Sequence, residues 1–366
     1  MPVSSLIDQA IGQIVPLDEE AMDNARARQD TLTKPLGSLG RLEELSVTLA
    51  GIFGQAMPQI RRKTVIVAAA DHGVVAEGVS AYPQEVTPAM VMNFLAGGAA
   101  INVLARHAGA EVVVLDAGVA ADLPPNPVLR SVKIARGTAN MAVGPAMTRE
   151  QAVQCLETGI ETAQELIAQG VDLIACGDMG IGNTTPSSAI TAVVTGADPS
   201  VTTGRGTGLE DEALAHKIEV VRRAIEVNKP DAKDGLDILS KVGGFEIGVL
   251  AGVMLGSASR RRPVVVDGFI SGAAALIAWT LAPVARQYFI ASHQSVEPGH
   301  QIGLKAMGLA PLLDLSMRLG EGTGATLAMH IIEAAAKCLA EMATFAEASV
   351  SERTDNQAND GGEAQT

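Results

Sequence analysis

Aromatic residues are scarce in this chain of 366: one Trp, two Tyr and six Phe. Base stacking on aromatic platforms is therefore not its means of recognition. Positive charge is also short. Lys and Arg number 27 against 41 Asp and Glu, a formal charge of −14, so the clustered cations that a nucleic-acid backbone demands are missing and no nucleic-acid partner is expected. The three cysteines, Cys155, Cys176 and Cys338, lie far apart with no CxxC pair, which supports neither a disulfide framework nor a zinc knuckle. The start, MPVSSLIDQAIGQIVPLDEE, has no basic opening and no apolar signal core, and a cytoplasmic protein is expected. Two uncharged runs, 86–105 and 268–285, approach membrane-spanning length. They are interrupted by Asn93, Gly97, Gly98 and Asn102, and by Ser271, Gly272 and Pro283. Buried helices or strand–helix units are expected there, and no membrane association.

Small apolar residues and glycine fill the space that aromatics leave. Hydrophobic residues make up 47%, charged residues 19%, and there are 38 glycines, a core-forming composition in which backbones can approach closely. The first sixty residues read as helical. The stretch 18–31 is charged and periodic, and 38–55 carries Leu39, Leu42, Leu45 and Leu49 at helical spacing, with Ser38 as N-cap and Arg41 in the first turn. Short β-branched runs follow at 65–70, 111–118, 172–177, 262–268 and 288–292, each succeeded by a helical stretch. Such alternation predicts an α/β fold with a parallel sheet covered by helices on both faces. Residues 311–346 return to helix, interrupted by RLGEGTGAT, and the tail 349–366 lacks apolar periodicity and reads as disordered.

Ligands of open parallel sheets bind beyond the carboxyl ends of the strands. The residues found there are Asp71-His72, Asp116, Gly177-Asp178, Asp267-Gly268 and Ser292-His293. The strongest local signal is CGDMGIGNTTPSSAI (176–190), a Gly-rich bend of Gly177, Gly180 and Gly182 before Asn183, Thr184, Thr185 and a helix start at Pro186. Backbone N–H groups, hydroxyls and a helix N-terminus together suit an anion. A tight strand-to-helix turn with a Thr cap explains the same residues equally well. No GK[ST] and no GxGxxG follows. In RLGEGTGAT (318–326), Glu321 stands between glycines that permit close approach of a ligand, which suits a general base; a solvated loop carboxylate is the plainer alternative. GRGTGLEDEALAHK (204–217) is a second Gly-rich turn before a helix, ending at Lys217, either another anion subsite or a loop and cap. Asp71 and His72 adjoin, but no third ligand stands at a metal-binding spacing, and no GxSxG elbow occurs.

Six segments in this order, TKPLGSLGRLE, ADHGVVAEGVSAYPQEVT, GDMGIGNTT, VVDGFISGAAALIA, SHQSVEPGH and RLGEGTGA, resemble the nicotinate-nucleotide-dimethylbenzimidazole phosphoribosyltransferases of cobalamin biosynthesis. The resemblance spans nearly all of the chain except the tail. It implies an α/β nucleotide-binding domain over 61–310, a small helical domain built from 1–60 and 311–348, and a homodimer. It implies transfer of the phosphoribosyl group of nicotinate mononucleotide to 5,6-dimethylbenzimidazole, with neither cofactor nor metal.

On that likeness Glu321 matches the family's base. Asp178, where the family commonly has the longer Glu, would ease positive charge on the sugar. Gly177, Gly180, Gly182, Asn183, Thr184 and Thr185, with Lys217 and Ser295, would hold the phosphoribosyl end. Ser80, Tyr82, Gln84 and Leu319 would border the aromatic base. Two rival readings remain: a related transferase with another acceptor such as adenine, another benzimidazole or a phenol, and a non-catalytic nucleotide sensor. Retention of Glu321 argues against the sensor.

Overall fold

The computed structural model describes residues 5–206 and 208–351; most of the tail, 352–366, lies outside them. Six strands form one parallel sheet: β1 (Lys63–Ala70), β2 (Ala110–Gly118), β3 (Leu129–Ser131), β4 (Leu173–Met179), β5 (Val264–Val266) and β6 (Phe289–Ala291), in the order β3-β2-β1-β4-β5-β6. The order reverses between β1 and β4, which opens a crevice at their carboxyl ends.

β1 shows why the apolar runs become strands. All eight residues are buried, and alternate side chains leave opposite faces. Ile66, Ala68 and Ala70 join Leu115, Ile174 and Val266 under the helices Arg149–Ala168, Phe245–Ser259 and Phe269–Leu281. Val65, Val67 and Ala69 join Val114, Ala175 and Ile290 on the other face, against Leu49 and Met329. Glycine lets the covering helices touch. A Cβ at Gly159 would stand 2.0 Å from the Val249 carbonyl oxygen, and one at Gly252 2.1 Å from that of Leu156.

The terminal segments meet. Helices Glu19–Thr31 and Arg41–Phe53 pack with Thr323–Glu341, Leu32 bridges Thr344, and Arg28 Nε donates to the Leu339 carbonyl at 2.7 Å.

Several boundaries differ from the sequence reading. Gly40, with φ of 55°, precedes the helix Arg41–Phe53 in place of Ser38. The helix after the 176–183 bend starts at Thr184, two residues before Pro186, with Asn183 as its N-cap residue. Residues 311–322 carry no helix; the backbone turns through glycine there and helix begins at Thr323. β4 runs on to Met179, placing Asp178 on the strand, and β5 is shorter than 262–268. The edge strand β3 is additional. The stretch Val86–Ala108 passes the length and hydropathy test for a membrane span, yet it is two helices, Val86–Ala96 and Ala100–Ala108, parted at Gly97 in left-handed conformation (φ 77°). Helix Phe269–Leu281 is buried over its first ten residues against the sheet and its neighbours.

Candidate active site

The carboxyl ends of β4, β5 and β6 open into a cleft of about 680 Å³. Glu321 lies at its floor, only 4% exposed. Three consecutive residues, Gly320 (φ 84°), Glu321 (φ 62°) and Gly322 (φ 87°), are in the left-handed region. For a residue with a side chain that conformation is uncommon and persists when its surroundings enforce it.

Two contacts enforce it. Gly177 of β4 lies so close that a Cβ there would stand 2.3 Å from the Glu321 carbonyl oxygen. Asp267, at the end of β5, accepts the N–H of Gly322 at 3.2 Å and of Ala325 at 2.8 Å, thereby capping the helix Thr323–Glu341 from 55 residues away. The carboxylate of Glu321 accepts the Ile101 N–H at 3.3 Å. Burial raises its pKa above the usual value, and the Ile101 bond opposes this in part.

Asp178 is 5% exposed. Oδ2 accepts from Asn183 Nδ2 at 2.9 Å, while Oδ1 has no hydrogen-bond partner. Burial, then the nearby charges of Asp267 and Glu246, hold its pKa well above the carboxylate range. Burial likewise pushes Asp267 up to about 7, against the three N–H groups of residues 322, 324 and 325. His293, 1% exposed, borders the cleft with Nδ1 3.8 Å from Asp267 Oδ1 and 3.1 Å from Ser292 Oγ.

A helix N-terminus borders the same cleft. The N-terminus of helix Thr184–Thr195 has no side-chain cap, and Gly180, Gly182, Asn183 and Thr184 line the wall leading into it. Peptide N–H groups at such a terminus attract anions. Lys217 Nζ donates to Thr184 Oγ1 at 2.7 Å and to the Gly204 carbonyl at 3.3 Å. Burial lowers its pKa to about 8, with Glu297 opposing. Arg318 donates to the Gly206 carbonyl at 3.0 Å, and Glu297 accepts the Gly206 N–H at 2.9 Å. Ser295 lines the same end; its N–H donates to His300 Nδ1 at 3.1 Å.

Of the expected base-pocket residues, Ser80, Tyr82 and Leu319 line the cleft, Tyr82 and Leu319 more than half exposed at its mouth. Gln84 does not line it. Gly177 and Thr185 are also off the wall: Gly177 packs on the Glu321 backbone and Thr185 is fully buried. Lys217 is also off the wall, bonded to the Thr184 hydroxyl. Asp116 is tied to the Val119 N–H at 2.9 Å and to Lys133 at 3.2 Å, away from the cleft. His72 pairs with Glu246 at 2.8 Å beneath Gly180. Glu297, Arg318 and Phe269 border the cleft without having been singled out, although they lie inside SHQSVEPGH, RLGEGTGA and VVDGFISGAAALIA. Among the described residues no three His, Cys, Asp or Glu side chains gather in a way that could hold a metal ion.

An uncapped helix N-terminus and buried carboxyls around one cleft, at the carboxyl edge of a parallel sheet, suit an enzyme that handles a phosphorylated sugar or nucleotide by acid–base chemistry. Comparison narrows the class. A family model described as "Phosphoribosyltransferase" matches residues 14–350, and the chain belongs to that family. A nicotinate-nucleotide–dimethylbenzimidazole phosphoribosyltransferase of Chloroflexus aggregans is 61% identical over 349 residues, covering 95% of this chain and 99% of the relative. One of a Roseiflexus species is 60% identical over 352 residues, covering 96% and 100%. The crystal structure of CobT from Thermus thermophilus matches with a TM-score of 0.88 at 50% identity, covering 91% of this chain and 100% of that one.

Proposed function

We propose that this chain transfers the 5-phosphoribosyl group of nicotinate mononucleotide to 5,6-dimethylbenzimidazole, giving α-ribazole 5′-phosphate and nicotinate. The observation that carries the reading is the carboxylate of Glu321, buried at the cleft floor and locked there by its neighbours. The C1′–N bond to a pyridinium breaks with the electron pair returning to nitrogen, so the base departs without its ring charge and needs no protonation. One benzimidazole nitrogen forms the new bond to C1′ from the opposite face, which inverts the β linkage to α. The other nitrogen then loses its proton to Glu321, restoring a neutral aromatic ring.

The division of labour along the cleft follows its charge. The 5′-phosphate sits at the terminus of helix Thr184–Thr195, between Gly180, Gly182, Asn183, Thr184 and Ser295, with Lys217 charging the Thr184 hydroxyl from behind. The aromatic acceptor lies toward Ser80, Tyr82 and Leu319. Such a slot separates acceptors that differ by a methyl by only about 1–3 kcal/mol, so other benzimidazoles are accepted at reduced rate. Asp178 faces the sugar, where a carboxylate favours the cationic character of the ribosyl group in the transition state. The terminal helices form a small module of their own, the active assembly is a homodimer, and the reaction takes place in the cytoplasm.

Initial rates of nicotinate release, measured with and without dimethylbenzimidazole, test the proposal. Release should depend on the acceptor and saturate with it. Acceptor-independent release, or nucleotide binding with no release, would refute the transferase reading.

A further inference from the structure

Among the described residues no Lys or Arg pairs with the carboxyls on the cleft floor. Asp178 Oδ1 is buried without a hydrogen-bond partner, and its Oδ2 has only the neutral Asn183 amide. The groups that face Asp178 from the surrounding elements are mainly acids: Asp267 from the end of β5, Glu321 from the 320–322 turn, and Glu246 from helix Phe245–Ser259. A Cβ at Gly320 would stand 3.3–3.4 Å from both Asp178 carboxylate oxygens, and Gly322, two residues on, donates to Asp267. The turn therefore sits between these carboxyls. Burial lowers the pKa of the neighbouring His293, and the Nε2 of His72 is engaged by Glu246 at 2.8 Å. Lys217 and Arg318 are committed to Thr184, Gly204 and Gly206.

Several buried acids without a counter-ion cannot all be ionised together. The substrate of the reading above carries the missing cation, its pyridinium ring, and the product does not. We propose that Asp178 is a neutral carboxylic acid in the free protein and that binding of the pyridinium nucleotide expels its proton. The O–H bond of Asp178 breaks, the proton passes to solvent, and the resulting carboxylate is ion-paired with the ring-nitrogen and ribosyl end of the nucleotide. The carboxylate that assists departure is thus generated by the substrate that needs it. It is discharged again when the neutral-base product replaces the substrate, which favours product release. This inference rests on the transferase reading.

Calorimetric titration of the whole chain with nicotinate mononucleotide alone, near pH 7 in buffers of different ionisation enthalpy, counts the protons released. The same titration with α-ribazole 5′-phosphate supplies the reference, because phosphate and ribose are common to both ligands. Up to one more proton should be released with the substrate than with the product, and substrate affinity should rise by up to tenfold per pH unit relative to product affinity below the titration of Asp178. In Asp178→Asn, whose amide oxygen still accepts from Asn183, the extra proton should disappear. Equal proton release by substrate and product, or an undiminished extra proton in Asp178→Asn, would overturn the proposal. Product binding without any substrate binding would overturn the transferase reading together with it.

Discussion

Replacing Glu321 by Gln isolates the proposed proton transfer. The substitution keeps the volume of a side chain that is 4% exposed, and keeps an oxygen to accept the Ile101 N–H now bonded at 3.3 Å. It leaves the backbone bonds from Gly322 and Ala325 to Asp267 untouched. What it removes is basicity. A positioned general base contributes about 10²–10⁴ in rate, equivalent to about 2.7–5.4 kcal/mol of barrier at 1.36 kcal/mol per decade. The turnover number of Glu321→Gln should fall by that factor at saturating acceptor. Nucleotide affinity, measured by calorimetry, should stay within about threefold, because the anion end of the cleft is unaltered. A turnover number within tenfold of the wild type would refute the assignment. So would a loss of nucleotide binding matching the loss of rate, since Glu321 would then be holding the ligand and not accepting a proton.

Three further outcomes follow from the same geometry. Gly177→Ala would push a Cβ to 2.3 Å from the Glu321 carbonyl oxygen, which is backbone and has little room to move. It should destabilise the fold by about 1–3 kcal/mol and depress activity beyond the stability loss, as read by thermal denaturation beside rates; an Ala variant with wild-type rates would contradict the packing argument. Lys217→Met keeps a long buried side chain but removes the charge behind Thr184. A charge-assisted hydrogen bond is worth about 1.5–3 kcal/mol, so kcat/KM for the nucleotide should drop about 10- to 100-fold, and unchanged kcat/KM would remove Lys217 from the anion site. The pH profile of kcat carries a sign that can be checked. Glu321 must be ionised to accept a proton and burial raises its pKa, so activity should be lost as pH falls through a value above the ordinary 4.5. An acid limb at or below that value would contradict the burial argument.

The sheet was legible because a parallel strand buried on both faces leaves an uninterrupted apolar run, as in residues 65–70, and the polar residues that end such runs mark the rim. β3 was not legible: three residues, Leu129–Ser131, are too few for any pattern. Glycine is ambiguous in sequence. It serves both close approach to an anion and close packing of backbones, and only the fold shows that Gly177 serves the second while Gly180 and Gly182 line the cleft. Glu321 could be singled out from its flanking glycines, yet what holds it could not. Asp267 reaches the 322–325 turn across 55 residues through backbone N–H groups, and those carry no sequence signal. Lys217 was recognisable as a cation near a Gly-rich turn, but its route to the cleft through the Thr184 hydroxyl is a tertiary contact. Glu297 and Arg318 brace the Gly204–Gly206 turn through backbone atoms alone, and were missed for the same reason.

The proposed reaction is an inverting transfer between two aromatic bases. Its most direct test is the identity of the product formed from nicotinate mononucleotide and dimethylbenzimidazole, followed by proton NMR at the anomeric position. One α-linked ribazole 5′-phosphate should form for each nicotinate released. A β-linked product, or nicotinate accompanied by free ribose 5-phosphate, would contradict it.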